Sequence, residues 1–150
     1  MTEMLSRNAA RNMFFGGSAF FFLVFAALTA HSHWYMVNVS TDKAGLTESV
    51  AHGKDVWEKN SCINCHSILG EGAYFAPELG NVWTRYGGRE NPEGARAGIK
   101  AWIKAQPLNA PGRRRMPAFD LSETELDALV DFFQWTDSIN TQNWPPHPAG

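Results

Sequence analysis

The sequence predicts an all-α protein made of one transmembrane helix followed by one small helical domain. Three observations predict this class: an uncharged apolar run near the N-terminus, three later segments with helical periodicity, and no convincing strand-like alternation. The chain of 150 residues is 44% hydrophobic and 19% charged, which excludes a disordered polypeptide. A formal net charge of −2 gives no indication of nucleic-acid binding, and two cysteines exclude a disulfide scaffold.

The apolar run lacks Asp, Glu, Lys and Arg from Asn12 to Thr41. A bilayer core of about 30 Å requires roughly 20 helical residues, and the run is long enough. Trp34 and Tyr35 fall at its end, where amphipathic rings favour the membrane interface. A cleaved signal peptide is the alternative, but the run is long for one and lacks a small-residue cleavage pattern. We therefore expect an uncleaved membrane anchor.

Two arginines, Arg7 and Arg11, precede the apolar run. The positive-inside rule then assigns the N-terminus to the cytoplasm and the rest of the chain to the opposite side. The expected organisation has four parts: a cytoplasmic N-terminus (residues 1–12), a transmembrane anchor (13–36), a linker (37–46) and an external helical domain (47–150).

The first helix of the external domain is predicted from about residue 47 to residue 60, with Thr47 as its N-cap. Its apolar face is formed by Leu46, Val50, Gly53 and Trp57. Gly53 offers a small residue at which another helix can cross closely. The expected partner is one of three aromatic residues of the last helix: Phe132, Phe133 or Trp135.

Two further helices are predicted, from about residue 92 to 105 and from about residue 122 to 139. Pro92 suits a first helical turn, and Pro107 follows the end of the same helix. Ser122 and Glu125 have the spacing of a capping box at the start of the last helix.

The motif Cys62-Ile63-Asn64-Cys65-His66 has the spacing of a c-type haem attachment site. Two thiols three residues apart can each form a thioether to one edge of a porphyrin, and the following His66 is then placed as the proximal iron ligand. A zinc site would need a second pair of ligands, and a thioredoxin-like motif would need a βαβ context. Neither is present in the sequence, so we expect one covalently bound haem c.

The second axial ligand is expected to be Met116, the sole methionine after His66. Methionine ligation raises the haem potential and fills the sixth position, as suits an electron carrier. His52 and His147 are the alternative ligands, and a methionine that merely fills the core is the structural alternative.

Three consecutive arginines, Arg113–Arg115, precede the expected methionine ligand. Three roles fit them: a solvated loop face, pairing with the haem propionates, or a docking patch for an electron donor.

The expected crossing of the first and last domain helices resembles that of class I c-type cytochromes. The anchor, the haem motif, the stretch Gly70–Val82 and the run Arg114-Arg115-Met116-Pro117 together resemble the cytochrome c subunit of bacterial nitric oxide reductase. The resemblance implies a single-pass protein of the bacterial inner membrane, in contact with lipid, whose haem domain is periplasmic.

This resemblance also implies partners and a function. A periplasmic donor, either a small cytochrome c or a cupredoxin, would supply electrons to the single haem. They would pass to a large catalytic subunit, which holds haem b and non-haem iron and reduces two NO to N2O. This chain would do no bond chemistry itself. The alternative is an anchored carrier for a haem–copper oxidase.

The loop Gly70–Val82 is expected either to wrap the haem or to dock on the catalytic subunit. In the family that the sequence resembles, a calcium ion bridges the two subunits, and the tyrosine of this stretch contributes to it. Tyr74 is therefore a candidate calcium ligand, through its main chain.

Overall fold

The computed structural model describes residues 6–108, 111–112 and 115–144. The chain divides into two compact units, Met1–Val39 and Ser40–Gly150. The candidate residues His147, Arg113 and Arg114 lie outside the described residues.

The first unit is formed by one long helix, α1 (Arg7–Tyr35). Ser6 caps its start, since the Ser6 hydroxyl accepts a hydrogen bond from the Ala9 amide at 3.2 Å. A π-helical turn, Met36–Ser40, continues the helix. The apolar helix Arg7–Ser40 buries none of its most hydrophobic stretch and is long enough to cross a membrane. The expected span, residues 13–36, lies within this helix.

Among its described residues, the second unit contains four α-helices, a short 3-10 helix (Cys62–Asn64) and one pair of very short strands. The helices are α2 (Glu48–Lys59), α3 (Val82–Arg85), α4 (Pro92–Lys104) and α5 (Glu123–Ser138). The strands β1 (Ser67–Ile68) and β2 (Glu71–Gly72) pair antiparallel. The three predicted helices are confirmed, with ends within about two residues of those expected.

The predicted caps of α2 and α5 are also present. The Thr47 hydroxyl accepts from the Val50 amide at 3.3 Å. Ser122 and Glu125 form a complete capping box, in which each side chain accepts a hydrogen bond from the other residue's amide. The expectation for Leu46 was wrong: it is 54% exposed, because it precedes the N-cap and is not carried on the buried face of α2.

The core of the second unit forms where α2 crosses α5. A Cβ atom built on Gly53 would lie 2.0 Å from the Ala128 carbonyl oxygen and 2.7 Å from Cβ of Phe132. Beside this point, the Trp57 ring meets Phe133 edge to face, with centroids 5.9 Å apart. The two helix backbones therefore touch at Gly53, as the sequence predicts.

Two of the described hydrogen bonds join the first residues of the second unit to α5 and to Asn140, which closely follows α5. The Trp135 indole donates to the Asp42 carbonyl at 2.9 Å, so this candidate partner of Gly53 turns instead toward the beginning of the unit. The Asn140 amide donates to the Ser40 carbonyl, also at 2.9 Å. These bonds hold α5 against the segment that precedes α2.

Replacing Gly53 with alanine should destabilise the second unit by roughly 1–3 kcal/mol, because the new methyl group overlaps the Ala128 backbone. Thermal unfolding of the haem-loaded chain measures the effect. The neighbouring exposed His52→Ala is the matched control and should unfold at the wild-type temperature. Equal stability of the Gly53→Ala variant and the wild type would contradict the close crossing.

Candidate haem site

The two cysteines and His66 lie on one tight turn directly after α2. Ser61 adopts a left-handed conformation (φ 55°), which turns the chain out of the helix. The amides of Cys65 and His66 then both donate to the Cys62 carbonyl, at 3.1 and 2.9 Å. Both cysteines are half-buried free thiols, and burial raises the pKa of the Cys62 thiol to about 11. The motif thus presents two thiols and one imidazole close together.

His66 is held in one orientation by its ring contacts. Its Nδ1 lies 2.7 Å from the Pro77 carbonyl oxygen, and its ring centroid lies 6.3 Å from that of Trp57. Because a carbonyl only accepts, Nδ1 carries the proton and Nε2 is left with its lone pair. Burial lowers the pKa of His66, and the nearby positive charge of Arg85 lowers it further. The ring is therefore a neutral imidazole, the form that binds a metal.

Met116 lies in the irregular segment that leads into α5. It is half-buried and packs, like Cys62, against the core. The alternative ligand His52 is exposed on α2, and the neighbouring Arg115 is also exposed. The structure therefore brings Met116 and Cys62 to the same core, but leaves His52 on the surface.

The loop Gly70–Val82 packs against the cysteine turn. The Ala73 amide donates to the Ile63 carbonyl at 3.0 Å, and the Ala76 amide to the Cys65 carbonyl at 2.7 Å. Gly72 has a φ of 120°, and a Cβ atom there would lie 2.4 Å from the His66 carbonyl oxygen. This close approach explains why the loop needs a glycine at that position.

The aromatic residues at the tip of this loop are directed outward. Tyr74 is 74% exposed and Phe75 is 50% exposed, while the Tyr74 hydroxyl donates to the Gly70 carbonyl at 3.2 Å. The described residues contain no group of three His, Cys, Asp or Glu side chains that could hold a metal ion. A calcium site in this loop would therefore depend on main-chain oxygens or on a partner.

Sequence reasoning missed a second polar centre, formed by Glu78 and Arg85. Glu78 is only 5% exposed, and its carboxylate accepts hydrogen bonds from backbone amides. Arg85 donates to the Glu78 carbonyl at 2.6 Å. The sequence did contain a signal for this centre: Glu78 is a charged residue in a stretch rich in glycine and proline. Such a loop has few other side chains that could hold its backbone in place.

The donor set fits a covalently bound haem. It comprises two thiols, an imidazole with its Nε2 lone pair available, and a thioether at the same core. The fully buried Ser67 hydroxyl next to His66 has no hydrogen-bond partner within the described part of the chain, so a further polar group is suited to this region.

A cytochrome c family model matches residues 50–137, which include the cysteine turn, the loop and Met116. The C subunit of nitric oxide reductase from Halomonas halodenitrificans is 69% identical to this chain over 150 residues, and that from Paracoccus denitrificans is 54% identical. Both alignments cover the whole of each protein. The chain belongs to the family of nitric oxide reductase C subunits.

Membership of this family establishes the main properties of the chain. As a C subunit with a cytochrome c domain, it is an electron-transfer component of nitric oxide reductase and carries covalent haem c. It is membrane-associated and works as part of an enzyme complex with a catalytic partner subunit. A more distant relative, cytochrome c oxidase subunit 2 of Alkalihalophilus pseudofirmus, is 34% identical over 67% of this chain and 30% of its own length.

Proposed function

We propose that this chain is the one-haem electron-accepting subunit of a nitric oxide reductase and does no bond chemistry itself. A periplasmic small cytochrome c or cupredoxin supplies electrons to this chain. The electrons are then transferred to the haem b and non-haem iron of the catalytic subunit. The observation that carries the proposal is the cysteine turn. There, two thiols adjoin the His66 imidazole, whose Nδ1 is hydrogen-bonded to the Pro77 carbonyl oxygen.

Four residues hold the haem in this proposal: Cys62 and Cys65 through thioethers, and His66 and Met116 as axial ligands. When bound, the haem supplies a one-electron ferric–ferrous couple. The chain's own residues orient the His66 ligand: the Pro77 carbonyl accepts a hydrogen bond from its ring, and the Trp57 ring lies beside it. If His66 and Met116 both bind the iron, nitric oxide would find no open coordination site on this haem.

The proposed topology places residues 1–12 in the cytoplasm and the domain of residues 47–150 in the periplasm of a bacterial inner membrane. It is supported by α1, whose phenylalanines are exposed and suited to contact lipid or partner helices. Arg7 and Arg11 at the start of α1 support this orientation.

The loop Gly70–Val82 is proposed as the docking surface toward the catalytic subunit. Its support is the outward direction of Tyr74 and Phe75, combined with backbone bonds that hold the loop against the cysteine turn. Electrons would then have a short path to the partner. A bridging calcium ion would bind through the Tyr74 main-chain carbonyl, an oxygen ligand of the type that calcium prefers.

The second candidate is a carrier for a haem–copper oxidase, favoured by the partial similarity to a cytochrome c oxidase subunit. Purification of the intact complex distinguishes the two. A partner with haem b and non-haem iron that forms N2O from NO supports the first proposal. A copper-containing partner that consumes O2 and forms no N2O would replace it with the second.

Replacing both Cys62 and Cys65 with alanine should make the haem extractable, because no thioether then links it to the chain. Acid–acetone extraction followed by haem staining of the denatured chain measures attachment. Asn64→Ala, an exposed change within the same turn, is the control and should retain all of the haem. Complete extraction of haem from the wild-type chain would refute covalent attachment.

Met116→Leu should retain covalent haem but remove the sulfur ligand, so the potential should fall or the ferric iron should become high-spin. The far-red charge-transfer band of sulfur-ligated ferric haem should disappear. Absorption spectroscopy and redox titration of the complex measure these changes, with His52→Ala as the matched control. If the band persists in Met116→Leu, Met116 is not the ligand.

Tyr74→Ala should weaken retention of the catalytic subunit by about thirtyfold, or roughly 2 kcal/mol, because it removes an exposed aromatic side chain. Tyr74→Phe keeps the ring and should assemble normally. Co-purification yield and haem c to haem b electron transfer measure the effect. Gly72→Val is less informative, since its side chain would collide with the His66 carbonyl. If Tyr74→Ala assembles normally, the loop does not dock on the catalytic subunit, and wrapping the haem is its remaining role.

A further inference from the structure

The geometry points to Glu78 as a positioning residue for His66. Its buried carboxylate fixes the peptide whose carbonyl holds the imidazole, and Glu78 thereby contributes to the reduction potential of the bound haem. This inference rests on the proposed ligation of the haem by His66.

The peptide group between Pro77 and Glu78 connects the Glu78 main chain to the His66 ring. The Pro77 carbonyl oxygen lies 2.7 Å from Nδ1 of His66, and this carbonyl shares one planar peptide group with the Glu78 amide. Any rotation of the Glu78 main chain therefore moves the acceptor of the His66 proton. Because a hydrogen bond weakens steeply with misalignment, the fixation of Glu78 matters for the imidazole.

The Glu78 side chain provides one anchor. Its Oε1 accepts from the Leu69 amide at 2.7 Å and from the Gly80 amide at 2.8 Å. Leu69 lies in the turn between β1 and β2 with a φ of 53°, so the carboxylate joins this left-handed turn to the segment that contains Pro77.

The Glu78 main chain provides a second anchor. The Arg85 guanidinium of α3 donates to the Glu78 carbonyl at 2.6 Å. Helix α3 is itself held by Asp137 of α5, whose carboxylate accepts from the Thr84 amide at 2.9 Å and from the Thr84 hydroxyl at 2.7 Å. Glu78 is thus fixed on both sides by groups that belong to the folded domain.

The consequence for the iron follows from the basicity of the imidazole. A hydrogen bond from Nδ1 to a carbonyl increases electron donation by the ring to a bound metal. Stronger donation favours the ferric state. Weakening the bond between His66 and Pro77 should therefore raise the reduction potential. A residue that only closed the loop would change stability and leave the His66 proton and the potential unchanged.

The test uses the haem-loaded full chain with ¹⁵N-labelled histidine in detergent, together with redox titration of the intact complex. In Glu78→Ala, the His66 Nδ1 proton should exchange with solvent about tenfold faster or more, and the haem c potential should rise. Glu78→Gln keeps the amide-accepting oxygen and should retain wild-type exchange. Glu71→Gln, an exposed change in the same loop, is the matched control and should alter neither quantity.

Gly80→Ala supplies a second variant if Glu78→Ala fails to fold. Its Cβ atom would lie 2.7 Å from Oε1 of Glu78, which displaces the carboxylate without removing it. Proton exchange at His66 should again be faster than in the wild type. Unchanged exchange in both variants would overturn the inference.

Two further outcomes would overturn the inference for different reasons. Equal rises in potential in Glu78→Gln and Glu78→Ala, with unchanged exchange, would show that the charge acts alone and would overturn the positioning role. A wild-type His66 ring without the paramagnetic shift of an iron ligand would reject ligation by His66, and the inference with it.

Discussion

The backbone contact between α2 and α5 at Gly53 is the constraint on which the rest of the second unit depends. A side chain at this position would overlap the Ala128 carbonyl, so only glycine allows the two helices to meet so closely. The crossing packs Trp57 of α2 against Phe132 and Phe133 of α5. Because the cysteine turn follows α2 directly, the contact at Gly53 also determines where the two thiols and His66 lie relative to the core.

Local signals were sufficient to predict the long helices of this domain. The Thr47 cap, the capping box of Ser122 and Glu125, and Pro92 in the first turn of α4 act within a few residues of the chain. The cysteine turn was predicted for the same reason, since its chemistry lies in five consecutive residues. Assignment of the chain to its family required the longer pattern of the loop and the full-length similarity to the C subunits of other nitric oxide reductases.

Tertiary contacts account for the parts that the sequence did not predict. Helix α3 has only four residues, and its start is held by Asp137, which lies 53 residues after Thr84. The carboxylate of Glu78 finds its amides through a left-handed turn at Leu69, a conformation that leucine rarely adopts. Leu46 shows the converse error: helical periodicity was extended past the cap, where the backbone no longer follows the helix.

The bonds between Ser40 and Asn140 and between Asp42 and Trp135 have a mechanical consequence. They join the first residues of the domain to α5 and to the residue that closely follows it, across as many as 100 positions of the sequence. A pull on the chain at residue 40 would reach α5 through these bonds as well as α2 along the main chain. The tension is thereby shared between the two crossing helices, and the cysteine turn lies beyond the point where they meet. The cysteine turn therefore receives only part of a load that is applied at residue 40.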